Sequence, residues 1–345
     1  MKIERFIPEK SSKALLIRYY EFFSEILKEA FPEDPKRSFE KVVISLTNTS
    51  RSGRLWRWMI RDRSDVIADA VLERELEGEN KHIAEVDIRV KKEYRRNGLG
   101  TILLRSVYEQ AVQENLKSIV FIQFSTQKDG RKFLEKLEAK LAQRCSINQL
   151  DLKEIDLDLM DNWVKKARER AREYKLEFWR NNYPDDSLEA FVRLYNDFWN
   201  SVPMDDLEVE KETISAQRLL NYQKMFLTRG WEQWIMVARH IPTGKLTGFT
   251  VMFYTGYVPD LINQDDTGVH TDHRNKGLGR WLKAAMIKKL IKEKPYIKKV
   301  RTENSVTNKP MLRINREMGF KYYYDENSWQ IALSEIAGFL KRNIR

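Results

Sequence analysis

The tightest constraint on this chain is a short arginine- and glycine-rich segment that occurs twice. Arg95-Arg96-Asn97-Gly98-Leu99-Gly100 closes one apolar run, and Arg274-Asn275-Lys276-Gly277-Leu278-Gly279 closes another. Both fit Arg-x-x-Gly-x-Gly and both lead into an amphipathic segment. Gly98 and Gly277 stand 179 positions apart (277 − 98). That separation is about one domain length, so duplication of a whole module accounts for it better than chance. A chain of 345 residues is long enough for two such modules, each with its own core.

The residue types specify an anion seat. Glycine lacks a Cβ and tolerates positive φ, so a glycine turn lets the backbone come close to a ligand. The first turn of the following helix leaves N–H groups unpaired and carries the positive end of the helix dipole. Together they hold phosphate. Lys91, Lys92, Arg95 and Arg96 flank the first copy, and Arg274, Lys276 and Arg280 the second. No Gly-Lys-Ser/Thr follows, so neither copy is a P-loop, and neither has the third glycine of a dinucleotide fingerprint. A glycine between strand and helix is often only a packing device. Recurrence of the whole strand-loop-helix setting weighs against that reading here.

At these residues the chain resembles the GNAT superfamily of acyl-CoA-dependent N-acyltransferases, in which this loop holds the CoA pyrophosphate. Thr267-Gly268-Val269-His270-Thr271-Asp272-His273-Arg274-Asn275-Lys276-Gly277-Leu278-Gly279 is similar to the family's common form, with Thr271 where proline is usual. Asn304 and the run from Asn308 to Gly319-Phe320 resemble its second CoA-side element, an Asn-containing helix ending in Gly-Phe. The resemblance spans nearly the whole chain and is most like the tandem GNAT proteins related to mycothiol synthase.

It implies an α+β fold of two tandem GNAT-like domains, each a mixed, mostly antiparallel sheet flanked by helices. Residues 1–155 form the first, and 156–345, opening with a connector helix to about 175, the second. The implied cofactor is acetyl-CoA (CoA). Its contacts in the second copy are Val269, His270, Arg274, Asn275, Lys276, Gly277, Leu278, Gly279, Arg280, Asn304 and Asn308. In the first copy they are Val90, Arg95, Arg96, Asn97, Gly98, Leu99, Gly100 and Thr101. Two departures stand out. The tyrosine general acid that many members place four residues before Gly-Phe is Asn315 here. In the first module the Gly-Phe pair is Glu138-Ala139 and the tyrosine position is Leu134. The first module is therefore expected to be degenerate and at most CoA-retaining, and the second to be catalytic.

Composition limits the alternatives. With 42% hydrophobic and 33% charged residues and no long apolar run, the chain reads as globular, without a membrane span. Met1-Lys2-Ile3-Glu4-Arg5 has no signal-peptide character, so a cytoplasmic location is expected. One cysteine, Cys145, forms no intramolecular disulfide, and four scattered histidines give no metal-ligand spacing. No metal is expected. The net charge of +11 is spread over both halves instead of one tail or helix. Two CoA sites account for part of it, and nucleic acid is not the expected partner. A monomer or homodimer is expected.

Periodicity predicts helices over 14–30 and near Phe39, then strands over 54–60, 66–76 and 82–90. A helix to about Asn115, a strand at 119–122 and a helix over 129–142 follow. After a strand end near Asn148–Leu152 and a charged helix, helices are expected at 187–200 and 210–228. Strands 234–240 and 246–254 form a hairpin through Pro242-Thr243-Gly244-Lys245. Strand 265–270, helix 278–292, strand 297–302, helix 309–318 and strands 320–324 and 329–333 close the chain.

Direct acyl transfer needs a deprotonated amine, a polarised thioester and a stabilised leaving thiolate. Asp265 and Asp266, just before the second loop, are the base candidates, with Glu85 and Asp87 their counterparts in the first module. Asn304 and Asn308 are placed to hydrogen-bond pantetheine, although Asn308 equally suits a helix N-cap. Asp205, Asp206, Glu208 and Glu210 form an acidic patch between the second module's first helices, read first as a solvated loop and second as a lure for a cationic amine at the acceptor groove that the resemblance puts there. Cys145 reads as structural, and the tryptophans Trp56, Trp58, Trp199, Trp231 and Trp234 as core or groove lining. The expected function is transfer of acetyl from acetyl-CoA to a primary amine of a small molecule. A peptide N-acetyltransferase and a non-catalytic acyl-CoA sensor are the rivals.

Overall fold

A computed structural model describes residues 2–48 and 53–343. The chain opens with β1 (Lys2–Arg5), α1 (Lys13–Ala30), α2 (Phe39–Thr47), β2 (Gly53–Asp62), β3 (Asp65–Glu75) and β4 (Ile83–Val90). It continues through α3 (Leu99–Gln113), β5 (Ser118–Phe124), α4 (Lys128–Lys136), β6 (Lys140–Asp151), α5 (Leu157–Arg170) and β7 (Tyr174–Arg180). Next come α6 (Leu188–Trp199), α7 (Ala216–Thr228), β8 (Glu232–His240), β9 (Leu246–Tyr254) and β10 (Leu261–Val269). It ends with α8 (Leu278–Glu293), β11 (Lys299–Ser305), α9 (Lys309–Glu317), β12 (Lys321–Ala332) and α10 (Leu333–Arg342).

These elements form two compact units, and each is interrupted in sequence. The first comprises Met1–Arg144, Met204–Glu210 and Tyr324–Arg345, and the second Cys145–Pro203 and Lys211–Tyr323. Strands in the first unit lie in the order β1-β2-β3-β4-β5-β12, those in the second in the order β6-β11-β10-β9-β8-β7. All pairings within each unit are antiparallel except β4–β5 and β10–β11. The edge partner of β5 is thus β12, from the end of the chain, while β6 pairs with β11 (Lys299↔Asp151 to Ser305↔Cys145).

In the first unit α1 starts at Ser12, whose hydroxyl accepts from Leu15 N. It buries Tyr19, Phe22, Ile26 and Ala30, a stripe at helical spacing, the first three in one core with Met59 and Val66 of the sheet. On another core, α3 packs Leu103, Leu104, Val107 and Ala111 against alternate residues of β2, β3 and β4. In the second unit α8 is buried nearly all round, through Leu278, Trp281, Leu282, Ala284, Met286, Ile287 and Leu290. The reason is local: α5 lies along it and covers the side away from the sheet, with Met160 and Trp163 in the same core.

Several expectations change. The helix expected over 129–142 ends at Lys136, because Glu138 takes a left-handed conformation (φ 63°) and residue 140 begins β6. The separate strands expected at 320–324 and 329–333 are one strand, β12. Helix α7 begins at Ala216, capped by Ser215, not at 210. The edge strands β1 and β7 and the terminal α10 are additional. Tryptophans 56, 58 and 234 are core; Trp199 is largely exposed, and Trp231 stacks on Phe226. The acidic patch belongs to the first unit. Its backbone N–H groups donate to the first unit: Asp206 to Ala142 O, Glu208 to Gln330 Oε1 and Glu210 to Asn80 Oδ1. Among the described residues no helix is long and apolar enough to cross a membrane, and no group of His, Cys, Asp and Glu is placed to hold a metal.

Candidate active site

Each unit carries one splayed strand pair with a loop at its mouth. Parallel pairing of β4 with β5 covers only Ile83–Val86 against Ser118–Phe121. Pairing of β10 with β11 covers only Leu261–Gln264 against Lys299–Thr302. Beyond those residues the strands part, and the outgoing one, β4 or β10, runs into the Arg-x-x-Gly-x-Gly loop.

The two loops share one backbone. Each begins with a single 3-10 turn, Lys92–Tyr94 or Thr271–His273. Arg96 and Asn275 both have φ of 65°. Gly98 (φ 81°) and Gly277 (φ 84°) are left-handed N-caps of α3 and α8. Neither cap offers a side chain to the leading helix amides, and a Cβ added at either glycine would meet no atom within 4 Å. Both seats are therefore open, with uncapped N–H groups and the positive end of a helix facing outward. Arg95 Nε donates to Val90 O (3.0 Å) and Arg274 Nε to Val269 O (3.1 Å), which fixes both loops in the same way. Leu99 and Leu278 are buried anchors. A Cβ added at Gly100 or Gly279 would make only ordinary contact with Phe133 or Ile314, so packing does not require glycine at either position.

Charge separates the copies. In the first loop Arg95 makes a two-pronged pair with Glu29 (2.7 and 2.6 Å) and a third contact to Asp129, which also meets Arg96 (3.5 Å). Asn97 is spent on Tyr94 O, and Thr101 N on Gly98 O. In the second loop Arg274 makes no ion pair among the described residues. Lys276 Nζ donates to the Tyr174 hydroxyl (2.9 Å), and Arg280 pairs with Glu317 (2.7 Å). His270 faces Asp197 at 3.7 Å. An incoming anion would find the first loop's arginines neutralised and the second's Arg274 available.

The strands before the loops differ as well. The pairing of β3 with β4 is regular, whereas the pairing of β9 with β10 shifts register between Gln264 and Thr267. This is a β-bulge, in which Asp265 and Asp266 together oppose the single residue Val251. Gln264 braces it by donating to Val251 O (2.7 Å) and Thr250 Oγ1 (2.9 Å), while Thr250 and Thr267 hydroxyls meet at 2.7 Å. The bulge projects two carboxylates where β10 leaves β11. Asp265 reaches solvent and Asp266 is half-buried, yet both stand in a recess dense with protein atoms.

Desolvation, then the Glu303 charge, pushes Asp265 up to about 6. Desolvation and the charge of Asp265 push Asp266 well above the usual carboxylate range, against a hydrogen bond from Tyr195. Glu303 on β11 is raised by burial and accepts from the Cys145 thiol, the reverse direction. Cys145 itself is buried on β6. Sequence reasoning missed Tyr195, Glu303 and the Gln264 brace. The one available signal was polar Gln264 and Thr267 on either side of the acidic pair.

In the first module the counterparts fare differently. Asp87 is raised by burial but faces Arg89 at 3.7 Å, and Arg89 forms a bidentate pair with buried Asp69 (2.8 and 2.7 Å), which also accepts from Tyr19. Glu85 is exposed. Asn304 Oδ1 accepts from buried Asn315 (2.6 Å), and Asn308 caps α9 through Met311 N. Asn315 therefore serves packing, and the tyrosine acid is absent, as the sequence indicates. Gly268 lies beneath Phe198: a Cβ there would fall within 3.0 Å of the ring carbon Cγ. Gly268→Ala is expected to cost about 1–3 kcal/mol by overpacking, read as a lower denaturation midpoint in urea.

Residues 18–138 match the family model of the GNAT acetyltransferases. That match falls on the first module, although the second carries the fuller loop motif. No curated protein matches the chain in sequence. Among solved structures, a tandem GNAT protein from the clavulanic acid biosynthesis pathway, determined without acetyl-CoA, is 20% identical, with a TM-score of 0.78 over 96% of this chain and 98% of its own. A GCN5-related N-acetyltransferase from Sphaerobacter thermophilus is 12% identical, with a TM-score of 0.68 over 96% and 95%. A GNAT acetyltransferase from Colwellia psychrerythraea reaches 0.56 at 11% identity, over 96% and 100%. Residues 18–138 thus match the GNAT acetyltransferase family, and the chain as a whole has a tandem GNAT fold.

Proposed function

We propose that this protein transfers an acetyl group from acetyl-CoA to a primary amine of a small cationic molecule, and that the second module does so. The observation that carries this reading is the β10 bulge. It sets two raised carboxylates beside an open, arginine-bearing anion seat at the parting of two strands. The residues fit the cofactor: Gly277 leaves room, the leading amides of α8 are uncapped, and Arg274 has no acidic partner among the described residues. Leu278, Gly279 and Arg280 amides with Arg274 would hold the diphosphate, and the freed edge of β10 near Val269 the pantetheine arm. When bound, acetyl-CoA supplies the activated acyl thioester.

The chain's own residues supply the rest. Asp265 and Glu303 attract and orient an ammonium group in a recess where charge interactions are strengthened. Burial and the charge of Asp265 favour the protonated form of Asp266, which Tyr195 hydrogen-bonds. Asp265, ionised above about 6, takes the proton that the amine must lose. Asn315 stands where the family's tyrosine acid would be, so the departing thiolate takes its proton from water.

Thiol release from acetyl-CoA against a panel of amines tests the assignment. With an active amine, kcat/KM is expected to rise about tenfold per pH unit below about 6 and to flatten above, less any contribution from the amine's own titration. Asp265→Asn should lower the rate about 100- to 10,000-fold and abolish that rise. Release by no amine, with CoA still bound, would replace catalysis with the sensor reading.

A further inference from the structure

We propose that a cavity of about 630 Å³ in the second unit binds a small amphipathic anion, with an apolar body and a phosphate, sulfonate or carboxylate head. The volume suits a ligand of nucleotide or drug size. Trp281 and Ala285 of α8 and Met236 of β8 form its apolar wall. Arg168, Arg172, Lys175 and Lys288 form its rim, and no acidic residue lines it. Lys175 is satisfied by Glu177 (3.0 Å) and Lys288 by Asp161. Arg168 and Arg172 have no ion-pair partner among the described residues. The dipole of α5 accounts for a cation in its last turn, at Arg168. It does not account for Arg172, beyond the helix end, facing the same hollow. Two guanidinium groups with free donors above an aromatic wall are the chemistry that takes an organic anion.

The cavity also touches the phosphate loop. Tyr174 lines it, and the Tyr174 hydroxyl meets His273 Nδ1 (2.6 Å) and accepts from Lys276 Nζ (2.9 Å), both loop residues. An occupant that moves the Tyr174 ring moves two side chains at the anion seat. This coupling, unlike the cavity itself, rests on the reading that the second loop holds CoA.

The test is fluorescence titration of 1-anilinonaphthalene-8-sulfonate into full-length protein, without CoA and again with CoA added to saturation. One site per chain is expected, weakened about tenfold or more in Arg168→Ala/Arg172→Ala. Equal affinity in native and double-variant protein, or loss of the site on CoA saturation, overturns the proposal. In Gly277→Glu the site should persist, so failure of the CoA reading would leave this measurement intact. Occupancy is expected to change CoA affinity about fivefold, and Tyr174→Phe to remove that change. An unchanged CoA affinity overturns the coupling.

Discussion

Gly277→Glu is expected to abolish turnover, by at least about 100-fold in kcat/KM, while Gly98→Glu leaves it within about twofold. Two effects add at Gly277. Its φ of 84° is one that L side chains rarely adopt, so the loop must shift or bear strain. The new carboxylate also enters the space where an added Cβ meets nothing within 4 Å, beside uncapped amides that it would satisfy itself. A tethered anion then competes with the ligand's diphosphate at very high effective concentration. Gly98 has the same conformation, so the strain is matched and the pair of variants isolates the seat. Steady-state thiol release with both variants decides the matter. Loss of activity in Gly98→Glu alone would move catalysis to the first module, despite Arg95 and Arg96 being neutralised by Glu29 and Asp129. Loss in both would make both seats necessary.

Lys283→Met is expected to stabilise the fold by up to about 5 kcal/mol at and below neutral pH. Lys283 lies on α8, 1% exposed, at the position matching buried Leu104 in the first module. Its ammonium has no ion pair among the described residues; the Phe320 ring lies 5.6 Å away. Burial lowers it from 10.5 to about 7. Between those values the unfolded chain holds a proton that the folded one has released, so native stability rises with pH through that window. Below about 7 the penalty is complete. Methionine has a similar volume and no charge, so the gain should be greatest and level below pH 7 and fade toward pH 10.5. Urea denaturation of both forms at pH 6, 8 and 10 measures it. A gain that does not shrink at pH 10 would show that packing, not charge, is responsible.

Much of the fold was legible because its signals are local. The hairpin through Gly244, the stripe on α1 and both phosphate loops follow from turn chemistry and periodicity within short windows. The misses were non-local. Nothing within Lys140–Ala142 says that it opens a strand rather than ends a helix, although the strand end near Asn148 was legible; pairing with β11 carries β6 from Cys145 to Asp151. Short edge strands such as Lys2–Arg5 take their state from one neighbour. At the site, glycine and arginine spacing gave the seat, and Asp265 and Asp266 stood out as a pair. The bulge that aims them depends on Gln264 reaching Val251 on another strand, and Glu303 joins them only through the parallel register of β10 and β11.

The crossed allegiance of β6 and β12 has a consequence for biosynthesis. The sheet edge beside β5 stays unfilled until Lys321–Ala332 leaves the ribosome, nearly 200 residues after β5 itself. Neither half can be excised as an autonomous cassette, and a gene fission between the repeats would yield two fragments obliged to trade strands before either could close.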